Sequence, residues 1–130
     1  MARVLLIYDN EAVAGFLKSI LEAAAFDVTH VSTPFDAFRE ALQRAPDAIL
    51  IDFHYKNVDG LYLIEKLRST AGLTDVPFAV VSEERDFLLS LDALEGGAND
   101  VIRYPINEDD FIDRMKKICP AQRAGGANEP

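Results

Sequence analysis

The sequence has one cysteine, Cys119, in 130 residues. No internal disulfide can form, and a lone thiol suits a reducing, cytoplasmic setting. Neither histidine lies near it in the chain, so Cys119 reads as a small apolar residue at the end of the last helix rather than as a nucleophile. Positive charge is also scarce: 13 Lys and Arg stand against 22 Asp and Glu, a formal net charge of −9. That balance argues against direct binding of nucleic acid or of an anionic membrane, both of which attract cations. Long apolar runs are missing too. Residues 1–10 have neither a basic cluster nor an extended apolar core, so no signal peptide is expected, and no run reaches membrane-spanning length.

With 49% apolar residues, the chain has enough material for one folded domain with its own core. The apolar pattern changes period repeatedly. Val4–Ile7 is a short continuous run of the buried-strand type. Val13, Phe16, Leu17, Ile20, Leu21 and Ala24 follow at helical spacing, with Asp9 or Asn10 as the cap. Residues 27–31 read as a second strand. Ser32-Thr33-Pro34 opens a second helix whose expected inner stripe is Phe35, Phe38 and Leu42. Residues 47–51 form a third strand, and Leu61, Ile64 and Leu67 mark a third helix.

Pro77 leads into a fourth strand, Phe78 to Val81. Phe87, Leu88, Leu91 and Leu94 give a fourth helix, stopped by Gly96-Gly97. Residues 99–103 are a weaker fifth strand. Asn107 caps a last helix with three acids in its first turn and Phe111, Met115 and Ile118 inside. Residues 1–119 are thus expected to form the domain, and 120–130, without periodicity, a flexible tail or the start of a linker.

Five alternating strand and helix units, with strands apolar on both faces, predict a parallel sheet covered on both sides. Such sheets gather their functional residues at the carboxyl ends of the strands. Asp52 directly follows the run Ala48-Ile49-Leu50-Ile51, and Asp9 follows the first run. Tyr8, Ser82 and residues 103–105 belong to the same edge. Two strands ending in carboxylates suggest one shared acidic site.

These residues resemble a response-regulator receiver domain of two-component signalling. The resemblance rests on residues 3–11 (Arg3 to Glu11), Pro46 to Asp52, Asp59-Gly60, Val76-Pro77 to Ser82, and Gly97 to Asp100 with Pro105, in register from about residue 3 to 118. It implies a flavodoxin-like three-layer α/β sandwich: a five-stranded parallel sheet in the order 2-1-3-4-5, with five helices. It further implies a signalling module in a phosphorelay and not an enzyme, beyond a phosphoacceptor's own phosphorylation and dephosphorylation. Asp52 takes the phosphoacceptor position. Asp9 and Asp52 would supply side-chain oxygens, and His54 a backbone carbonyl, to Mg2+. Ser82 would hydrogen-bond a phosphate oxygen. The expected partners are a sensor histidine kinase or a histidine phosphotransfer protein, with output through the face of the fourth helix, fifth strand and fifth helix.

Five positions depart from that pattern. Tyr8 stands where the family has the first acid of its pair, and Tyr104 where it has its lysine. Glu83 follows the hydroxyl residue in place of a small residue. Val101 replaces the strand-five aromatic, and Lys56 a loop proline. A phenol cannot replace a fixed cation, and charge-assisted bonds are roughly twice as strong as neutral ones. Arg103 carries a charge, but strand alternation sends it to the face opposite Tyr104. Lys56 on its loop is one substitute for the missing lysine. The resulting expectation is an atypical receiver with weak or absent Mg-dependent phosphorylation. The alternative is a conventional phosphoacceptor using Asp9 and Asp52 for magnesium.

Simpler roles stand beside these. Asp9 can serve as a helix cap, as a metal ligand or as both. Ser82 can cap the fourth helix, and His54 can be an exposed loop residue. Tyr8 and Tyr104 either plug the site together or lie apart at the surface. Three other classes fit less well. A flavin carrier on this fold needs a Ser/Thr/Gly-rich phosphate loop where Tyr8-Asp9-Asn10-Glu11 stands. A haloacid-type phosphatase has a second aspartate where His54 stands. A dinucleotide enzyme needs a G-x-G-x-x-G after the first strand, which is missing.

Overall fold

The short apolar runs pair side by side in a computed structural model. The structure describes residues 1–8, 10–52, 65–70, 73–82 and 97–119, and of Pro34, Asp52 and Ser82 the main chain alone. The strands are β1 (Arg3–Ile7), β2 (Asp27–Val31), β3 (Ala48–Asp52), β4 (Phe78–Ser82) and β5 (Asp100–Arg103). They form one parallel sheet in the order β2-β1-β3-β4-β5, as the resemblance implied. Helices α1 (Glu11–Ala23), α2 (Pro34–Gln43) and α3 (Glu108–Ile118) are described in full. Residues 65–68, within the expected third helix, are helical. The expected fourth helix and residues 120–130 lie outside the described residues, as do Leu61 and Ile64.

Strand alternation divides the core in two. Leu6, Leu50 and Val81 pack with α1 and α3, around Phe26, Phe111 and Met115. Leu5, Ile51 and Val80 pack with α2 and with Leu67 and Leu73. Burial on both faces is why the inner strands β1, β3 and β4 read as near-continuous apolar runs, whereas the edge strands β2 and β5 are interrupted by polar residues.

Each helix starts on a polar cap. The Val13 amide donates to Asn10 Oδ1 (3.1 Å), so Asn10 caps α1. The Asp36 amide donates to Thr33 Oγ1 (3.1 Å) and the Asp110 amide to Asn107 Oδ1 (2.9 Å). Phe111, Met115 and Ile118 face inward on α3 as expected, and Cys119 is buried beside them.

Helix α2 overturns its expected stripe. Phe35 is 69% and Leu42 54% exposed, whereas Ala37 and Ala41 are buried. Phe38 is partly buried. The helix seats through its alanines, which permit close approach to β1 and β2 and leave the larger side chains at the rim. The Arg39 guanidinium lies 5.8 Å from the Phe35 ring centroid, a cation–π contact that shelters the exposed ring. On α1, Phe16 is likewise 46% exposed, contrary to the expected stripe. Ala14, Leu17, Ile20 and Leu21 fill the inner face there.

At the amino edge of the sheet, side chains hold the strand entries. The Arg3 amide donates to Asp47 Oδ2 (2.8 Å), and the Asp47 amide returns a bond to the Arg3 carbonyl (2.7 Å). The Phe78 amide donates to Asn99 Oδ1 (3.0 Å), and the Asn99 amide to the Phe78 carbonyl (2.8 Å). Arg68 donates to the carbonyls of Thr74 (2.9 Å), Val76 (2.6 Å) and Gly97 (3.4 Å), and its guanidinium lies 4.8 Å from the Phe78 ring centroid. Burial lowers the pKa of Arg68, with Asp75 opposing the shift. Gly97, at φ +105°, turns the chain where an L side chain would be strained.

Candidate functional site

A parallel sheet brings all its strand exits to one edge, so the register decides which exits are neighbours. Ile7 pairs with Ile51, and the residues after them, Tyr8 and Asp52, are therefore level on adjacent strands. Asp52 is the last residue of β3 rather than the first beyond it, and it pairs with Val81. Ser82 ends β4 opposite Arg103, and Tyr104 follows. The sequence-predicted residues Tyr8, Asp52, Ser82 and Tyr104 thus share the carboxyl edge. Asp9, His54, Lys56 and Glu83 lie outside the described residues.

Tyr8 is held at several points. Its amide donates to the Val31 carbonyl (3.0 Å). Its own carbonyl accepts a bond from His30 Nε2 (2.8 Å). The side chain is 4% exposed, within the α1/α3 core. Tyr104 packs partly buried against the same core, and the Tyr8 and Tyr104 hydroxyls are hydrogen-bonded to each other. Strands β1 and β5 are separated by β3 and β4, so their backbones stand roughly 14 Å apart at ordinary strand spacing. The bonded rings therefore bridge the exits of the two central strands. Of the two arrangements open from sequence, the tyrosines adopt the paired one.

His30 was not singled out from sequence. The available sign was a polar residue in line with buried Val28 on β2, where alternation points toward the α1 layer. By bonding the Tyr8 carbonyl it fixes the peptide unit from which Asp9 continues.

Arg103 is exposed and Ile102 is buried, in keeping with the alternation that turns Arg103 away from the Tyr104 side. Val101 is partly buried against the α2-side core. Among the described residues, no group of three His, Cys, Asp or Glu side chains is placed to hold a metal. An open depression of about 420 Å³ lined by Asp47, Thr74 and Asp75 lies at the opposite, amino edge. It is remote from the strand exits that carry the chemistry.

The β5–α3 face carries one ionic cluster. Arg114 Nη1 donates to both carboxylate oxygens of Asp100 (2.8 and 2.9 Å), and Nε to Asp110 Oδ2 (2.9 Å). Hydrogen bonds to Asp110, then to Asp100, raise the pKa of Arg114. The cluster ties α3 to the start of β5.

A parallel α/β sandwich with an aspartate on the last position of its central strand defines a class of signalling modules. The description "Response regulator receiver domain" belongs to a family model that matches residues 4–116, and the chain belongs to that family. The transcriptional regulatory protein KdpE of Staphylococcus aureus (strain NCTC 8325 / PS 47) is 31% identical over 117 residues, which are 90% of this chain and 49% of that protein. A putative response regulator from Chloroflexus aurantiacus J-10-fl shares the fold at a TM-score of 0.86 and 24% identity, over 92% of this chain and 98% of that one. The receiver domain of sensor histidine kinase PA1611 from Pseudomonas aeruginosa PAO1 shares it at 0.82 and 22% identity, over 92% and 98%. That structure has a magnesium ion coordinated in its active-site cleft. The chain spans about half the length of the curated relatives it matches. No helix among the described residues is long and apolar enough to cross a membrane.

Proposed function

We propose that this receiver is atypical: Asp52 is the candidate phosphoacceptor, and Mg-dependent phosphorylation is weak or absent. The observation that carries the reading is the Tyr8–Tyr104 hydroxyl pair. It occupies the positions where the resemblance implies an acid and a lysine. Phosphoryl transfer relies on charge neutralisation more than on covalent help from the protein. Two phenols bonded to each other bring no charge to that task.

Magnesium remains compatible with the donor set. A hard cation can be held by one or two carboxylates together with waters and phosphate oxygens. Asp52 is level with Tyr8 on adjacent strands, one residue from Asp9. Asp9, Asp52 and the His54 carbonyl would hold the ion, which would supply positive charge beside the acceptor carboxylate. Ser82, ending β4 one strand away, would donate to a phosphate oxygen. Glu83 adds a negative charge next to it in sequence.

The partner on the input side is a sensor histidine kinase or a histidine phosphotransfer protein. Output runs through protein contacts on the face that includes β5 and α3, where Arg114 is hydrogen-bonded to Asp100 and Asp110.

Beryllofluoride with magnesium, titrated while the amides of Asp52 and Ser82 are followed by NMR, tests the reading. No site-local change up to tens of millimolar magnesium is expected. A stable adduct at micromolar to low millimolar concentrations, abolished by Asp52→Ala, would instead establish a conventional phosphoacceptor.

A further inference from the structure

We propose that the Tyr8–Tyr104 hydroxyl pair is a clasp that sets the β5–α3 junction from β1, whatever charge Asp52 carries. One end of the clasp is tied down at several points. Tyr8 is bonded through its amide to Val31, through its carbonyl to His30, and has its side chain buried. The other end lies at a junction. Tyr104 is followed by Pro105, by Ile106 packed on the α1/α3 core, and by Asn107, the cap of α3. Three residues therefore separate the tied hydroxyl from the start of a helix. Arg114, further along α3, links that helix back to Asp100 at the opposite end of β5. A displacement of Tyr104 would be passed to α3 as a tilt about that ionic anchor.

The bond crosses the exits of β3 and β4, so it passes the strand end on which Asp52 stands. A charged tie at this place would be pulled apart by a new phosphoryl dianion, because an ammonium is drawn strongly toward it. A neutral hydroxyl carries no net charge for the dianion to draw, although a bond from it to phosphate would itself be charge-assisted. A hydroxyl also has one donor and two acceptor lone pairs, so the pair can serve a further acceptor without giving up its mutual bond. The junction is thereby held in one setting. Its indifference to Asp52 deepens the atypical reading and rests on it. The clasp itself is independent of phosphate.

The test is amide hydrogen exchange at Tyr104, Ile106 and Asn107 in wild type, Tyr8→Phe, Tyr104→Phe and the double variant. Phenylalanine keeps the ring packing and deletes the bond. Tyr8→Phe is expected to speed exchange at these junction amides roughly 3- to 10-fold, the factor one net hydrogen bond supplies. Tyr104→Phe should match it, and the double variant should add nothing further. If Tyr104→Phe folds poorly, Tyr8→Phe still decides, because it acts on the junction from another strand. An effect of Tyr8→Phe confined to β1 and β2 would overturn the clasp.

Beryllofluoride and magnesium separate this inference from the functional reading. Binding to wild type would sink the atypical reading but leave the clasp standing if the junction amides stay fixed in wild type and shift in Tyr8→Phe. Equal shifts in both proteins would sink the clasp.

Discussion

The two edges of the sheet are held together in different ways. At the amino edge, Asp47, Asn99 and Arg68 bond main-chain groups of neighbouring segments, and each bond satisfies a backbone donor or acceptor at a strand entry. At the carboxyl edge, the described residues include a side-chain bond, Tyr8 to Tyr104, between residues that the family resemblance would make charged, beside the His30 bond to the Tyr8 carbonyl. Among the described residues, side-chain bonds to strand entries gather at one end, and the candidate chemistry lies at the other. Substitutions at the amino edge should therefore cost folding free energy without touching Asp52, and those at the carboxyl edge should cost less.

The sharpest way to break this contrast is at Arg68. Arg68→Ala removes bonds to three carbonyls and the contact with Phe78. It should destabilise by about 2–3 kcal/mol, since the part-buried Val76 carbonyl loses its donor and the Phe78 ring its cation. Urea denaturation followed by circular dichroism measures it, and a loss below about 0.5 kcal/mol would remove Arg68 from the account. Asn99→Ala leaves the Phe78 amide without its side-chain acceptor and should cost about 1–2 kcal/mol on the same assay. Asn99→Asp, which keeps an oxygen there, should recover most of it. At the other edge, Tyr8→Phe should cost about 1 kcal/mol. A cost as large as that of Arg68→Ala would erase the distinction between the edges. Phe35→Ala, at a side chain 69% exposed, should stay within about 0.5 kcal/mol. A larger loss would mean that the Arg39 contact carries more than a rim pair ordinarily does.

Much of this molecule is legible from its chain because the strands are short, apolar and bounded by strong helix caps. The third strand read as 47–51 and forms at Ala48–Asp52, a shift of one residue. Pairing with Val81 decides that boundary, and a partner strand is invisible to local pattern. The shift matters chemically, since it makes Asp52 part of the sheet rather than of the following loop. The stripe on α2 was misread for a related reason. Spacing of three and four identifies a helix but leaves its rotation open when two adjacent rows are both apolar. Ala37 and Ala41 took the inner row because small residues fit closest to the sheet.

At the carboxyl edge, the positions of Tyr8 and Tyr104 were readable from their places after β1 and β5. Their mutual bond was one of two arrangements, because it depends on how far two rings reach across two intervening strands. His30 escaped notice because its contact is with a main-chain carbonyl, which leaves no side-chain partner to find in the sequence.

The shallow seat of α2 has a consequence for how the domain comes apart. A helix seated on Ala37, Ala41 and part of Phe38, with Phe35 and Leu42 at the water boundary, buries little apolar area for its length. Hydrophobic adhesion scales with that area, and the segments that open first are those with the least of it. Of the three described helices, residues 34–43 should therefore detach first under mild denaturant or protease, while α1 and α3 stay anchored by Leu17, Phe111 and Met115. Among the described helices, the earliest tryptic cuts would then fall at Arg39, within that stretch, and at Arg44, just beyond it.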